Sequence, residues 1–431
     1  MRYEAIDNKL FIENRKKLAK QLKSNSLAII NSHDEMPKNA DQLYKFRQHP
    51  DVFYLSGIDQ AKSVIILFPD APNEAHREIL LVEETNELIA TWEGYRYTKE
   101  DAIKTSGIKT VLWVDELDSI IQILMYSAEN CYLNLNEHLR FKSDVPTKDV
   151  RFAAELKAKY PLHNYIRLAP IMAKLRAIKS DTEIKLIKTA CDITDKAFRR
   201  VLQFVKPGVW EYEIEAEVIH EFIKNRATRH AYDPIIAKAE NACVLHYVTN
   251  NAQCHDGDFM LIDFGAEYAN YAADLSRAFP INGTYTKRQK EVYNAVLKVF
   301  KAAQKVLVPG TTIPKYHEEV WKMIEEECIK LGLITKDDVK NQAKNKPAFK
   351  KYCPHGISHH MGLAVHDVAD INLPIEEGMV FTIEPGLYIP EEKFGVRIEN
   401  DFLVTKNGLV DLMSNIPIEV EEIEDIMQSG R

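Results

Sequence analysis

A chain of 431 residues, 45% hydrophobic and 28% charged, is too long for one ordinary core and is expected to fold as two soluble domains. Its formal net charge of −8 offers no global attraction for nucleic acid or an anionic membrane. No stretch approaches the ~20 apolar residues of a membrane span, so neither a nucleic-acid partner nor a membrane is expected.

The N-terminal "MRYEAIDNKLFIENRKKLAKQL" is charged throughout and lacks the apolar run of a signal peptide. Six scattered cysteines without a CxxC pair read as reduced thiols, and both features point to the cytoplasm. Strand-like runs follow at "LAII" (27–30), "SVIILF" (63–68), "EILLVEE" (78–84) and "TVLWVD" (110–115). They alternate with helical stretches such as "NRKKLAKQL" and "LDSIIQILMYSA", which predicts an α/β layer on a mixed sheet. Ser180-Asp181-Thr182-Glu183 then reads as a capping box opening a helix. With Pro170 it brackets a junction, so an N-terminal domain is expected over 1–170 and a second domain over 171–431.

The second domain repeats itself. "KAFRRVLQFVKPGVWEYEIEAEVIHEFI" (196–223) and "NAVLKVFKAAQKVLVPGTTIPKYHEEVWKMI" (294–324) each read helix, Pro-Gly stop, helix. "GDFMLIDFG" (257–265) aligns with "GMVFTIEPG" (378–386), placing Asp263 on Glu384. The prediction is a pseudo-two-fold α+β domain, with helices packed on an antiparallel sheet.

Each half carries a hairpin with an acid on both arms. Asp263 and Asp274 flank a loop at Tyr268-Ala269, so their carboxylates are expected across from one another. Glu384 and Glu399 flank Glu391-Glu392, in a turn led by Pro390. All four have apolar neighbours, and burying ionised carboxylates costs several kcal/mol each without partners. Arg277 and Arg397 are the candidate counter-charges, too few for four acids. Two divalent cations balance four carboxylates and a neutral imidazole, which describes a two-metal hydrolase site. Oxygen-rich ligands without thiolate suit Mn2+ first, with Co2+, Zn2+ or Fe2+ as alternatives.

The imidazole has several sources in "CPHGISHHMGLAVHD" (353–367): His355, His359, His360 and His366. His355 and His359 could share a helix face, but the glycines argue for a loop or strand. Residue chemistry alone leaves the ligand open, with His360 expected to pack. His246 precedes Gly257 by 11 residues and His366 precedes Gly378 by 12, so the repeat pairs these two at the rim.

At these residues the chain from about 40 to 425 resembles proline-specific aminopeptidase P, within the pita-bread metallopeptidases that include prolidase and methionine aminopeptidase. The resemblance rests on "YKFRQHPDVFYLSGID", "WEGYR", "ENACVLHYVTN", "GDFMLIDFGAEYANYAADLSRAFPINGTY", "HGISHHMGLAVHDV" and "EEGMVFTIEPGLYI" through "GVRIEND". It implies metal ligands at Asp263, Asp274, His359, Glu384 and Glu399. It further implies that His246, His355 and His366 contact substrate or handle protons, that Arg397 is an active-site arginine, and that Glu384 is a general base. Tyr388 and Trp92 are additional candidates for substrate contact. The implied substrates are peptides with proline at the second position, and the implied assembly is a homo-oligomer, dimer or tetramer.

This chain departs from the family pattern at "IAKAENA" (236–242), where relatives carry "VGSGENG", and at Ala273, where glycine is usual. The N-terminal match separates it from methionine aminopeptidase, and Ser358 in "HGISH" favours the aminopeptidase form over prolidase. A metal-free binding or scaffold protein on the same fold would have lost one of the five ligands, and none is missing. A serine hydrolase lacks its GxSxG here, and a zincin lacks its HExxH.

Overall fold

The computed structural model describes residues 2–343 and 345–429. It divides into two compact units, one of them Glu4–Arg176. The other begins at Ala177 and takes in Tyr3, whose ring meets Tyr268 edge-on at 6.2 Å between centroids. The division thus falls after Arg176, not after residue 170. The reason is local: Arg176 forms a buried ion pair with Asp51 at 2.8 Å, and the Tyr54 hydroxyl donates to the Leu175 carbonyl.

In the first unit the helices are α1 (Lys9–Ala19), α2 (Pro50–Ser56), α3 (Glu87–Glu93), α4 (Lys99–Ser106), α5 (Leu117–Met125), α6 (Lys148–Lys159) and α7 (Ala169–Ala177). The strands are β1 (Ser26–Asn31), β2 (Pro37–Asn39), β3 (Gln42–Leu43), β4 (Val64–Leu67), β5 (Glu78–Val82), β6 (Thr110–Trp113), β7 (Asn130–Leu133) and β8 (Asn164–Arg167). Six of them form one sheet in the order β6-β5-β4-β1-β7-β8. The β1/β4 and β4/β5 pairs are antiparallel, and β5/β6, β1/β7 and β7/β8 are parallel, giving the expected mixed sheet. β1 and β4 are buried along their whole length, which is why they read as unbroken apolar runs.

The second unit carries α8 (Asp181–Phe204), α9 (Glu211–Lys224), α10 (Lys287–Ala303), α11 (Ile313–Lys330), α12 (Lys336–Asn341) and α13 (Val420–Ser429). Its strands are β9 (Arg229–His230), β10 (Ile235–Lys238), β11 (Phe259–Asp263), β12 (Ala266–Tyr268), β13 (Tyr271–Ala272), β14 (Ser276–Pro280), β15 (Val380–Ile383), β16 (Gly386–Ile389), β17 (Phe394–Arg397), β18 (Asn400–Thr405) and β19 (Gly408–Asp411). All their pairings are antiparallel. The capping box is present: the Ser180 and Glu183 side chains each close on the other's backbone at the start of α8.

The repeat is visible in the backbone. Pro-Gly breaks separate α8 from α9 and α10 from α11, and Gly257 and Gly378 open the paired strands at φ +86 and +87. That left-handed conformation suits glycine. Five of the six cysteines are buried, and Cys243 alone is half-exposed. No helix among the described residues is long and apolar enough to cross a membrane.

Candidate metal centre

The site forms where the two halves meet. Ser276 at the head of β14 bridges to Glu399, whose N–H donates to the Ser276 carbonyl at 3.1 Å. The Ser276 hydroxyl donates to Glu399 Oε2 at 2.7 Å and accepts from Arg397 Nε at 2.7 Å. Glu384 and Glu399 lie across from each other as expected, in the register that runs from Ile383–Asn400 to Gly386–Arg397. The chain turns at Pro390–Glu392, with Lys393 left-handed at φ +56.

The first hairpin differs from expectation. Its turn is Ala269-Asn270, both left-handed, and Asp263 pairs with Ser276, not with Asp274. Asp274 lies between β13 and β14, and its N–H leaves the hairpin to donate to the buried Asp401 carboxyl at 3.0 Å. That diversion turns Asp274 toward its partner acid, and one hydroxyl, that of Tyr232, contacts Oδ1 of both Asp263 and Asp274.

All five expected ligands converge there. His359 Nε2 is 3.4 Å from Asp274 Oδ2 and 3.9 Å from Glu384 Oε1. Ligand atoms of Asp274, His359 and Glu399 lie within 4.8 Å of one another. His359 Nδ1 faces the His360 carbonyl at 3.1 Å, so one proton belongs there, and Nε2, which points at the acids, can ligate a metal once it gives up its own. Glu399 Oε1 is buried without a hydrogen-bond partner among the described residues.

The electrostatics describe a cage short of positive charge. Burial, with Asp274 and Glu384 alongside, pushes the Glu399 carboxyl well up. Burial likewise lifts Asp263 despite Arg397, and lifts Glu384 to about 7 despite His359. Burial disfavours a charged His359, but the Asp274 hydrogen bond and Glu384 outweigh it and raise this imidazole to about 9. Protons stand in where cations would stand, and the orphaned Glu399 oxygen and the acid-facing His359 nitrogen fit divalent metal ions.

Arg397 donates to Asp263 through one terminal nitrogen and to the Tyr388 hydroxyl at 2.6 Å through the other. The Tyr388 hydroxyl lies 2.8 Å from His355 Nε2 and, having accepted from Arg397, donates there. The His355 proton is then on Nδ1, which faces the Gly356 carbonyl and lies 3.7 Å from Glu384 Oε2. Burial, with Arg397 nearby, holds His355 down to about 3, so it is neutral. Tyr388, expected at the substrate, is buried and committed to this chain of contacts. Arg277, the other candidate counter-charge, spends its guanidinium on the carbonyls of Pro417, Ser276 and Glu399 and on Asn400.

The remaining candidates are arranged around this centre. The His366 ring meets His359 edge-on at 4.3 Å between centroids, on a loop held by the buried Lys179–Asp367 pair. His360 packs on Phe381 at 4.2 Å, as expected of a structural histidine. His246 is exposed on the loop after β10, and neighbours in that loop pack against Tyr388. Trp92 stands 82% exposed on α3, in the other unit, and is not among the side chains that the second unit brings together. Tyr232, Ser276 and Asp401 were not legible as site residues. Only the polar Ser276 and Asp401 beside ligand-bearing strands gave a faint signal.

Comparison with known proteins gives the family of the chain. Residues 185–406 match metallopeptidase family M24, and residues 11–132 match the aminopeptidase P N-terminal domain. The chain is 33% identical to a Xaa-Pro aminopeptidase of Escherichia coli (strain K12), covering 99% of each chain. It is 32% identical to Xaa-Pro aminopeptidase 3 of Homo sapiens, covering 89% of this chain and 77% of that one. It is similar to solved Pseudomonas aeruginosa aminopeptidase PepP, with a TM-score of 0.90 at 31% identity and 99% of both chains covered. Zinc-substituted E. coli aminopeptidase P in complex with product gives a TM-score of 0.89 at 31% identity, with 99% of this chain and 100% of that one covered. The chain belongs to metallopeptidase family M24, and to its aminopeptidase P branch.

Proposed function

We propose that this protein is a metal-dependent aminopeptidase that hydrolyses the N-terminal Xaa-Pro bond of peptides and releases the first residue. The carrying observation is the buried meeting of Asp263, Asp274, His359, Glu384 and Glu399, with one Glu399 oxygen unpaired. These five would hold two divalent ions, with Mn2+ preferred because the ligands are mostly oxygen. When bound, such ions supply Lewis acidity that polarises a carbonyl and makes water a nucleophile near neutral pH.

The protein's own groups do the rest. Glu384, beside His359 in the cluster, takes a proton from the attacking water and can return it to the departing nitrogen. The Arg397–Tyr388 pair fixes the His355 tautomer, so its Nδ1–H is given to the Gly356 carbonyl and the ring is held 3.7 Å from Glu384. His366, edge-on to His359, faces the substrate carbonyl, and His246 borders the proline ring. An Xaa-Pro bond has no N–H, so a site that anchors the free amine at Asp263 avoids a contact that other proteases need. A homo-oligomer is the expected assembly, and the reduced thiols suit the cytoplasm.

The test is hydrolysis of Xaa-Pro-Yaa tripeptides beside Xaa-Pro dipeptides, by chelated protein and after Mn2+ is restored. Metal-dependent release of Xaa from the tripeptide, with the dipeptide cut slowly, is expected. Preference for the dipeptide would make it a prolidase, and no cleavage of either by folded, loaded protein would remove the proposal.

A further inference from the structure

The loop of residues 239–252, which carries His246, closes around one buried acid that the site described above does not include. Glu211, at the first turn of α9, is 0% exposed. Its Oε1 accepts from the Lys238 N–H at 2.9 Å and the Asn241 side chain at 3.0 Å. Its Oε2 accepts from the Tyr247 hydroxyl at 2.8 Å and the Ala252 N–H at 2.9 Å. One carboxylate therefore grips the loop before, within and after His246, and Tyr247 is the next residue along.

The loop needs such a grip. Ala239 is left-handed at φ +45, and Asn250 at the far end at φ +47. An alanine in that region costs on the order of 1–2 kcal/mol, where glycine costs nothing comparable. This is the position at which the family pattern carries glycine. Lys238 and Asn241, two of the four donors to Glu211, flank that alanine. Asn250 is tied separately to Glu215, the Pro234 carbonyl and the Ile236 N–H. The His246 imidazole itself makes no hydrogen bond among the described residues, so its place follows from the loop backbone.

We propose that Glu211 is a positioning residue that sets His246 against the substrate, holding the loop in a conformation its own alanine disfavours. This rests on the substrate role given to His246 above. The Glu211→Gln change keeps the volume but turns one acceptor oxygen into a donor, aimed at a main-chain N–H that cannot turn away.

The test is a double-mutant cycle, with kcat and KM measured on an Xaa-Pro-Yaa tripeptide for wild type, E211Q, H246A and E211Q/H246A, all loaded with Mn2+. A tenfold loss in kcat/KM or about that is expected for E211Q, but less than about twofold when His246 is already gone. Hydrogen exchange is expected to quicken at 239–252 in E211Q. Losses that simply add, or an H246A enzyme as active as wild type, would overturn the proposal. A wild type without turnover would sink the proposed function instead, and this inference with it. If E211Q does not fold, Tyr247→Phe removes one of the four donors and is measured in the same cycle.

Discussion

His359 and Glu384 hold their protons unlike free side chains, and the two shifts act in the same direction. His359, raised to about 9, contributes stability that is fully present below its unfolded value near 6.5 and is lost as pH rises through about 9. Glu384, raised to about 7, contributes stability present below the ordinary carboxyl range and lost as pH climbs through about 7. The metal-free site is thus most stable when protonated, and it must shed those protons to bind cations. Titrating Mn2+ into chelated protein in weakly buffered solution at pH 7 is expected to release at least about one proton per chain. A pH electrode reads this directly. A flat trace with metal demonstrably bound would show that these groups were already deprotonated.

At the level of elements, the first hairpin is the vulnerable part. A Cβ on Gly265, between β11 and β12, would lie 1.7 Å from the Ala273 carbonyl oxygen, next to Asp274. Because the obstacle is backbone, Gly265→Ala is expected to cost roughly 3 kcal/mol or more and to weaken metal binding. Urea denaturation with metal analysis checks both, and a variant with unchanged midpoint and metal content would refute it. The second hairpin was legible because a Pro-led turn fixes its register locally, so Glu384 and Glu399 fall opposite. The register of Asp274 was not, because its N–H is claimed by Asp401, 127 residues away, and no local pattern records that. Tyr232 was invisible for the same reason, lying 31 and 42 residues from the acids it bridges. The strands Asn130–Leu133 and Asn164–Arg167 also went unread, since four residues carry too little periodicity to separate strand from loop.

Across the whole molecule, the metal cluster belongs to one unit only. The first unit has a core of its own around Leu27, Ile29, Val64, Ile66, Ile79 and Leu81 and contributes no acid to the cluster. Calorimetry is therefore expected to show two transitions, of which chelation lowers one by several degrees and leaves the other in place. One transition that moves as a whole would mean that the units unfold together. The distribution of thiols has a practical consequence. Five sulfurs are sealed in the interior, and the sixth, Cys243, is half-exposed three residues before His246. Burial raises that thiol, so it reacts best in mild alkali. A fluorescent maleimide offered to the native protein is therefore expected to find one half-exposed thiol, three residues from His246, and peptide arrival near that loop would be read by light without altering a residue.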